Sequence, residues 1–263
     1  MSVDLVLTHV ASGVLEITLN RAEKRNALSL ELFEALGEAF DKAADPQVRS
    51  VLVRGNGPVF CAGIDLNSLA TLAGDQTDGA FRKGLRHLQD IFMRLERSGK
   101  PSVAAMQGTA VGAGLQLGLA CDLRVASEDL NLGLFEIRYG IVPDLGGLHR
   151  VVHLCGLSRA KDLAMTGREV GAQKALRIGL VDRVATGEEL EETARELARH
   201  LAGQAPLAVR AIKRLCDEVA QGQSAEDSLD AVGDVQVELI AHPDFMEAVS
   251  ARMQKREPVF SGQ

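Results

Sequence analysis

The sequence predicts an α/β fold with an all-helical C-terminal appendage, and three observations carry that prediction. Short apolar runs alternate with segments of helical period up to about residue 185. Beyond that point the periodic segments are all helical. The chain has 263 residues, 46% of them apolar and 25% charged, which is long for one domain and short for two. This order fits a layered α/β body with helices added at one end.

Val14 to Leu19 reads as a strand, with Val3 to Val10 as a candidate hairpin partner. Ser29 is suited to cap a helix running to about Ala44, with Leu30, Phe33, Leu36 and Phe40 on one face. Ser50 to Val53 is a short buried strand that enters the turn Gly55-Asn56-Gly57-Pro58. Phe81, Leu85, Leu88, Phe92 and Leu95 give a helix over 79–97. Pro101 opens a strand over Ser102 to Met106; a glycine-rich stretch and a helix of small residues up to Ala120 follow. Leu123 to Ala126 is another strand. Helical patterns then occupy 156–165, 188–203, 206–220 and 224–255. The last carry long apolar stripes for so small a body, as expected of faces that cover a neighbouring subunit.

Composition narrows the function classes. Aromatic residues are 3%, with no Trp and a single Tyr139, so stacking platforms for single-stranded nucleic acid are lacking. The net charge of −7 offers no basic face to a phosphate backbone. Cys61, Cys121, Cys155 and Cys216 form no CxxC, which points to reduced thiols in a cytoplasmic protein. The start Met1-Ser2-Val3-Asp4 has no cationic leader, and no apolar run approaches the roughly 18 residues of a membrane helix.

Three segments could carry chemistry. Phe60-Cys61-Ala62-Gly63-Ile64-Asp65 is either a plain βα turn or half of an oxyanion hole, with a backbone N–H aimed at a carbonyl oxygen. Gln107 to Leu117 runs from a strand through Gly108, Gly112 and Gly114 into a helix, whose first N–H groups would favour an anion. A dinucleotide fingerprint is ruled against by spacing, since the glycine after Gly114 comes at Gly118, one position late. Phe135 to Gly147 holds Glu136 and Asp144, which a Gly/Pro turn could aim at one cavity; alternatively Glu136 forms an ion pair and Asp144 caps the next helix. His149 and His153 stand i, i+4 without a third ligand, so no metal site is expected.

Together and in this order the segments resemble the crotonase superfamily, the enoyl-CoA hydratase/isomerase family. The resemblance runs from Asn20-Arg21-Ala22-Glu23-Lys24-Arg25-Asn26-Ala27-Leu28, similar to N-R-P-x-x-x-N-A-L/M, to Lys255-Arg256-Glu257-Pro258-Val259-Phe260, similar to K-R-x-P-x-F. Between them lie Phe60 to Leu66, Gly108 to Leu117, Ala120 to Arg124 and Gly140 to Gly147. It implies a spiral of ββα repeats with a C-terminal helical trimerisation region. Residues 1–200 would form the core and active site, and 201–263 the oligomerisation region of a homotrimer or dimer of trimers. It implies an acyl-CoA substrate, with coenzyme A part of that substrate and no separate cofactor. The thioester oxygen would sit between the N–H groups of Ile64 and Ala113, with Gly63, Gly112 and Gln116 in the substrate pocket. Lys24, Asn26, Ala27, Leu28, Ala62 and Leu66 match the coenzyme A path, and Lys255 matches a residue that reaches a neighbour's coenzyme A.

The departures from the family pattern select among reactions. Two-glutamate hydratases resemble this chain at Glu136 but carry Glu at the position of Gln116, and an amide can hold a water without taking its proton. Asp144 stands where isomerases of the superfamily often carry an acid. The leading expectation is therefore double-bond isomerisation by Glu136 and Asp144. A hydratase using Glu136 alone and a non-catalytic acyl-CoA binding protein are the alternatives.

Overall fold

In the computed structural model, which describes residues 4–74 and 79–262, six strands form the main sheet. In spatial order these are β1 (Val6–Ala11), β2 (Val14–Leu19), β3 (Ser50–Gly55), β4 (Ser102–Met106), β6 (Leu123–Ser127) and β9 (Arg183–Ala185). β1 is antiparallel to β2 and every other pairing is parallel. A second, smaller sheet holds β5 (Thr109–Val111), β7 (Asn131–Gly133) and β8 (Val170–Gly171). Isolated parallel bridges Leu28–Ile64 and Cys61–Ala110 extend that second layer.

Four main-sheet strands, β2, β3, β4 and β6, are each followed by a short extended piece of the second layer and then by a helix. β2 leads through Leu28 to α1 (Leu30–Asp41), and β3 through Cys61 to α2 (Leu66–Gly74) and α3 (Ala80–Arg97). β4 leads through β5 to α4 (Ala113–Leu119), and β6 through β7 to α5 (Gly147–Cys155). This repetition is the expected ββα spiral. The remaining helices are α6 (Leu157–Thr166), α7 (Ala172–Ile178), α8 (Leu190–Ala202), α9 (Pro206–Ala220), α10 (Ala225–Ala241) and α11 (Pro243–Gln254).

Both faces of the main sheet are covered, as a parallel sheet requires. On one face Leu15, Ile17, Val51 and Val53 join Phe33 and Leu36 of α1 and Ile91 and Phe92 of α3 in the larger core. On the other, Leu52, Val103 and Val125 pack against Leu190, Ala194, Leu197 and Ala198 of α8. Ser29 caps α1 as expected, accepting from the Leu32 amide. The helical pattern over 224–255 is broken at His242-Pro243, where His242 is extended and its ring accepts from the Asp244 amide; proline has no N–H with which to continue the helix. The three-residue strands and α2 lie below the reach of periodicity. α9 and α10 bury no residue, and Leu229, Val237 and Met253 are 73%, 72% and 80% exposed.

One buried cation locks the end of the spiral. Arg124, 2% exposed, donates to the carbonyls of Cys121 and Leu180 and to Asp182 at 2.8, 2.8 and 2.9 Å. Arg124→Ala would remove the donor to both carbonyls and leave Asp182 only the backbone amide of residue 124. It is expected to destabilise the fold by about 3 kcal/mol or more in denaturant melts, whereas substitution of the exposed Arg214 should change little.

Candidate active site

The Cys61 segment and β5 run side by side, with Cys61 N donating to Thr109 O and Val111 N to Cys61 O. At Gly63 the chain turns with φ +97°, a value other residues rarely adopt. Gly63 O accepts from Leu28 N, and Leu28 O accepts from Asp65 N. In a parallel bridge of this form the N–H of Ile64 points away from Leu28, toward the cavity that Ile64 lines. Ala113 begins α4, so its N–H has no partner four residues back. Among the described residues neither amide donates a backbone hydrogen bond.

The two amides are brought close by glycine. A Cβ placed on Gly63 would lie 3.8 Å from Ala113 N. One placed on Gly114 would lie 2.4 Å from Cys61 O, so α4 rests directly on the backbone of the Cys61 segment. Cys61 is fully buried, its Sγ donating to Asn26 O, and burial pushes its thiol pKa up to about 12. It packs the turn and has no nucleophilic character.

The cavity holds about 100 Å³. One end is made by Ala62, Gly63, Ile64, Gly112 and Ala113. Its apolar wall comes from α2 and α3, through Leu66, Leu69, Leu72, Phe81, Leu85 and Leu88. Phe135, Tyr139, Ile141 and Leu145 close the opposite side, and among the described residues the carboxyl groups in the lining are those of Glu136 and Asp144.

Glu136 is 7% exposed and stands on a 3-10 turn, Glu136–Tyr139. Its Oε1 accepts from Gln116 Nε2 at 2.7 Å, and its Oε2 is buried with no partner among the described residues. A Cβ on Gly112 would lie 3.5 Å from Glu136 Oε1, which puts this carboxyl beside the start of α4. Burial raises the Glu136 pKa, with the charge of Asp144 adding to it; the Gln116 hydrogen bond opposes the rise. Burial likewise raises the pKa of the half-buried Asp144. Asp144 caps no helix, since α5 starts at Gly147 with Gly146 before it.

The side chains of Gln116 and Asn26 are both engaged within the chain. Gln116 is fully buried and stands behind Glu136, outside the cavity lining, with Oε1 accepting from Leu145 N and Gly147 N. Its carbonyl is therefore committed to the protein and not to a water. Asn26 is also fully buried; it donates to the carbonyls of Asn56 and Val59 and accepts from Arg21 N, so its side chain knots two turns together. Ala62 and Leu66 line the cavity. Lys24 is exposed on the turn before Asn26, and Ala27 and Leu28 run along the Gly63 segment. Lys255 is exposed at the end of α11, outside the lining. His149 and His153 stack edge to face at 4.4 Å, and no group of three potential metal ligands occurs among the described residues.

A raised carboxyl pKa has a stability consequence. The folded chain holds the Glu136 proton to higher pH than the unfolded chain does. Stability therefore falls as pH rises from the ordinary glutamate range through the raised native value. Glu136→Gln removes this loss. Thermal melts should find the variant more stable than wild type near neutral pH and equal to it well below the ordinary carboxylate range.

Known proteins resemble this chain over nearly its whole length. An enoyl-CoA isomerase/hydratase of Mycosarcoma maydis is 35% identical over 95% of this chain and 93% of its own. A peroxisomal Delta(3,5)-Delta(2,4)-dienoyl-CoA isomerase of Arabidopsis thaliana is 32% identical over 99% of this chain and 97% of its own. The crystal structure of an enoyl-CoA hydratase from Bacillus anthracis matches with a TM-score of 0.91 at 34% identity, covering 98% of this chain and all of that one. The model of the family described as enoyl-CoA hydratase/isomerase matches residues 9–263, and the chain belongs to that family.

Proposed function

We propose that the protein is a double-bond isomerase acting on enoyl- or dienoyl-CoA thioesters. The observation that carries this reading is the pair of desolvated carboxyl groups, Glu136 and Asp144, in the wall of one apolar cavity beside two free backbone N–H groups. A base removes the α-proton, the thioester oxygen gains charge as the enolate forms, and the amides of Ile64 and Ala113 stabilise it. Loss of one such donor typically costs about 3 kcal/mol of barrier. A second acid then returns a proton further along the chain. Glu136 lies beside the start of α4, where the thioester oxygen would be held, so it acts at the α-carbon, and Asp144 acts at the remote carbon. A desolvated carboxyl keeps its proton to higher pH and is the better donor.

Hydration is the competing reading, because Glu136 could activate a water unaided. The engagement of Gln116 Oε1 by two backbone amides disfavours it, since no amide oxygen is left to hold that water. Retention of both acids disfavours a purely binding role.

The substrate brings coenzyme A with it, past Lys24, Ala27, Leu28, Ala62 and Leu66, and no separate cofactor enters this scheme. The exposed apolar faces of α9–α11, in the region 201–263, support a homotrimer or a dimer of trimers, in which Lys255 would approach a neighbour's coenzyme A. No helix among the described residues is long and apolar enough to cross a membrane, and we place the protein in the cytoplasm.

The test is turnover of 3-enoyl-CoA, 3,5-dienoyl-CoA and crotonyl-CoA in D₂O, followed by mass spectrometry. Deuterium at the α-carbon with a shifted double bond and no added water is the expected result. Hydration of crotonyl-CoA as the dominant reaction would overturn it.

A further inference from the structure

The side chain of Gln116 is buried without contact to the cavity, yet it touches both acid-bearing segments. Its amide has a fixed orientation, because only the oxygen can accept from the amides of Leu145 and Gly147, both at 2.8 Å. The NH₂ group is thereby turned onto Glu136 Oε1 at 2.7 Å. Those two amides belong to the residues on the C-terminal side of Asp144. The same loop is tied elsewhere: Gln89 of α3 donates to Asp144 O at 2.7 Å, and Arg150 donates to Leu145 O at 2.7 Å while paired with Glu96. The backbone around Asp144 is thus fixed, and its carboxyl is left to the cavity.

At Glu136 the hydrogen bond occupies one oxygen and leaves the other, Oε2, buried without a partner. An orphaned buried carboxylate oxygen carries a desolvation cost and needs a reason. A proton-transfer role is such a reason.

We propose that Gln116 is a positioning residue that sets both acids at once, holding Glu136 by Oε1 so that Oε2 transfers the proton, and holding the loop that presents Asp144. Its catalytic consequence rests on the isomerase reading above; the loop clamp does not. The chemistry of the position explains why glutamine suits it. Methionine of similar volume would leave two buried amides and Glu136 Oε1 unpaired. Glutamate would keep the amide acceptor but would set a second carboxyl at hydrogen-bond distance from Glu136, where the two must share a proton.

Two variants separate the arms. Gln116→Met removes both, and Gln116→Glu keeps the loop arm only. Hydrogen exchange at the Leu145 and Gly147 amides reads the clamp without any substrate. Turnover of 3-enoyl-CoA reads the catalytic effect. Gln116→Met should release both amides to faster exchange and lower kcat by roughly 10- to 100-fold, with KM changed by less than about threefold. Gln116→Glu should keep both amides protected and still lose about tenfold or more in kcat near neutral pH, because only the Glu136 arm is altered.

Unchanged exchange in Gln116→Met would overturn the clamp. Released amides with unchanged kcat would overturn the positioning role while leaving the isomerase assignment standing. A wild type that isomerises no substrate sinks that assignment and the catalytic role with it, and the exchange measurement still decides the clamp. Should Gln116→Met unfold, the conservative variant decides: protected amides with reduced kcat support the proposal, and wild-type kcat overturns it.

Discussion

Glu136→Gln is expected to lower isomerisation by roughly 10²–10⁴-fold, the usual cost of removing a general base. The substitution is close to isosteric. The carbonyl of the new amide can accept from Gln116 Nε2 as Oε1 does now, so the contact at 2.7 Å can persist. What disappears is the ionisable carboxyl beside the start of α4, including the oxygen Oε2 that has no partner among the described residues. KM should change little, because the apolar wall and the two backbone donors are untouched. Exchange of the α-proton in D₂O should fall with turnover, since both require the same first step. The variant is also predicted to be more stable near neutral pH, so unfolding cannot account for the loss. A variant that still exchanges its α-proton within a few-fold of wild type would remove Glu136 from the mechanism.

Much of this site was legible in the sequence because its parts are local. The turn at Gly63 and the small-residue helix after Gly112 are both written in runs of a few residues, and the family resemblance assigns one donor to each. Ser29 as a cap and Ser102 to Met106 as a strand are local in the same way. The second layer was not legible, because strands of three residues such as β5 and β7 carry no period. The supports of the acids were not legible either. Gln89 reaches the carbonyl of Asp144 across 55 positions, and Arg150 meets Glu96 across 54, separations that no local pattern encodes. Gln116 was visible as a departure from two-glutamate enzymes, but its role depends on where its two amide atoms point. That direction is set by the Leu145 and Gly147 amides, about thirty positions on. The three side-chain hydrogen bonds of Asn26, two of them to carbonyls thirty or more positions away, were hidden for the same reason.

Asp144→Asn should separate the two halves of the reaction. If Glu136 works at the α-carbon and Asp144 at the remote carbon, the asparagine variant keeps the base and the oxyanion donors but loses the acid. Formation of the shifted double bond should fall by about 10²-fold or more, while α-deuterium exchange should stay within roughly tenfold of wild type. The pH profile adds an independent check. The reaction needs Glu136 ionised and Asp144 protonated, so activity rises as Glu136 loses its proton and falls as Asp144 loses its own. Burial moves both transitions above the ordinary carboxylate range. An asparagine cannot ionise, so the alkaline limb should vanish from whatever activity the variant retains, while the acid limb set by Glu136 should remain. Undiminished isomerisation in this variant would take Asp144 out of the mechanism and leave Glu136 to carry the proton to both carbons alone.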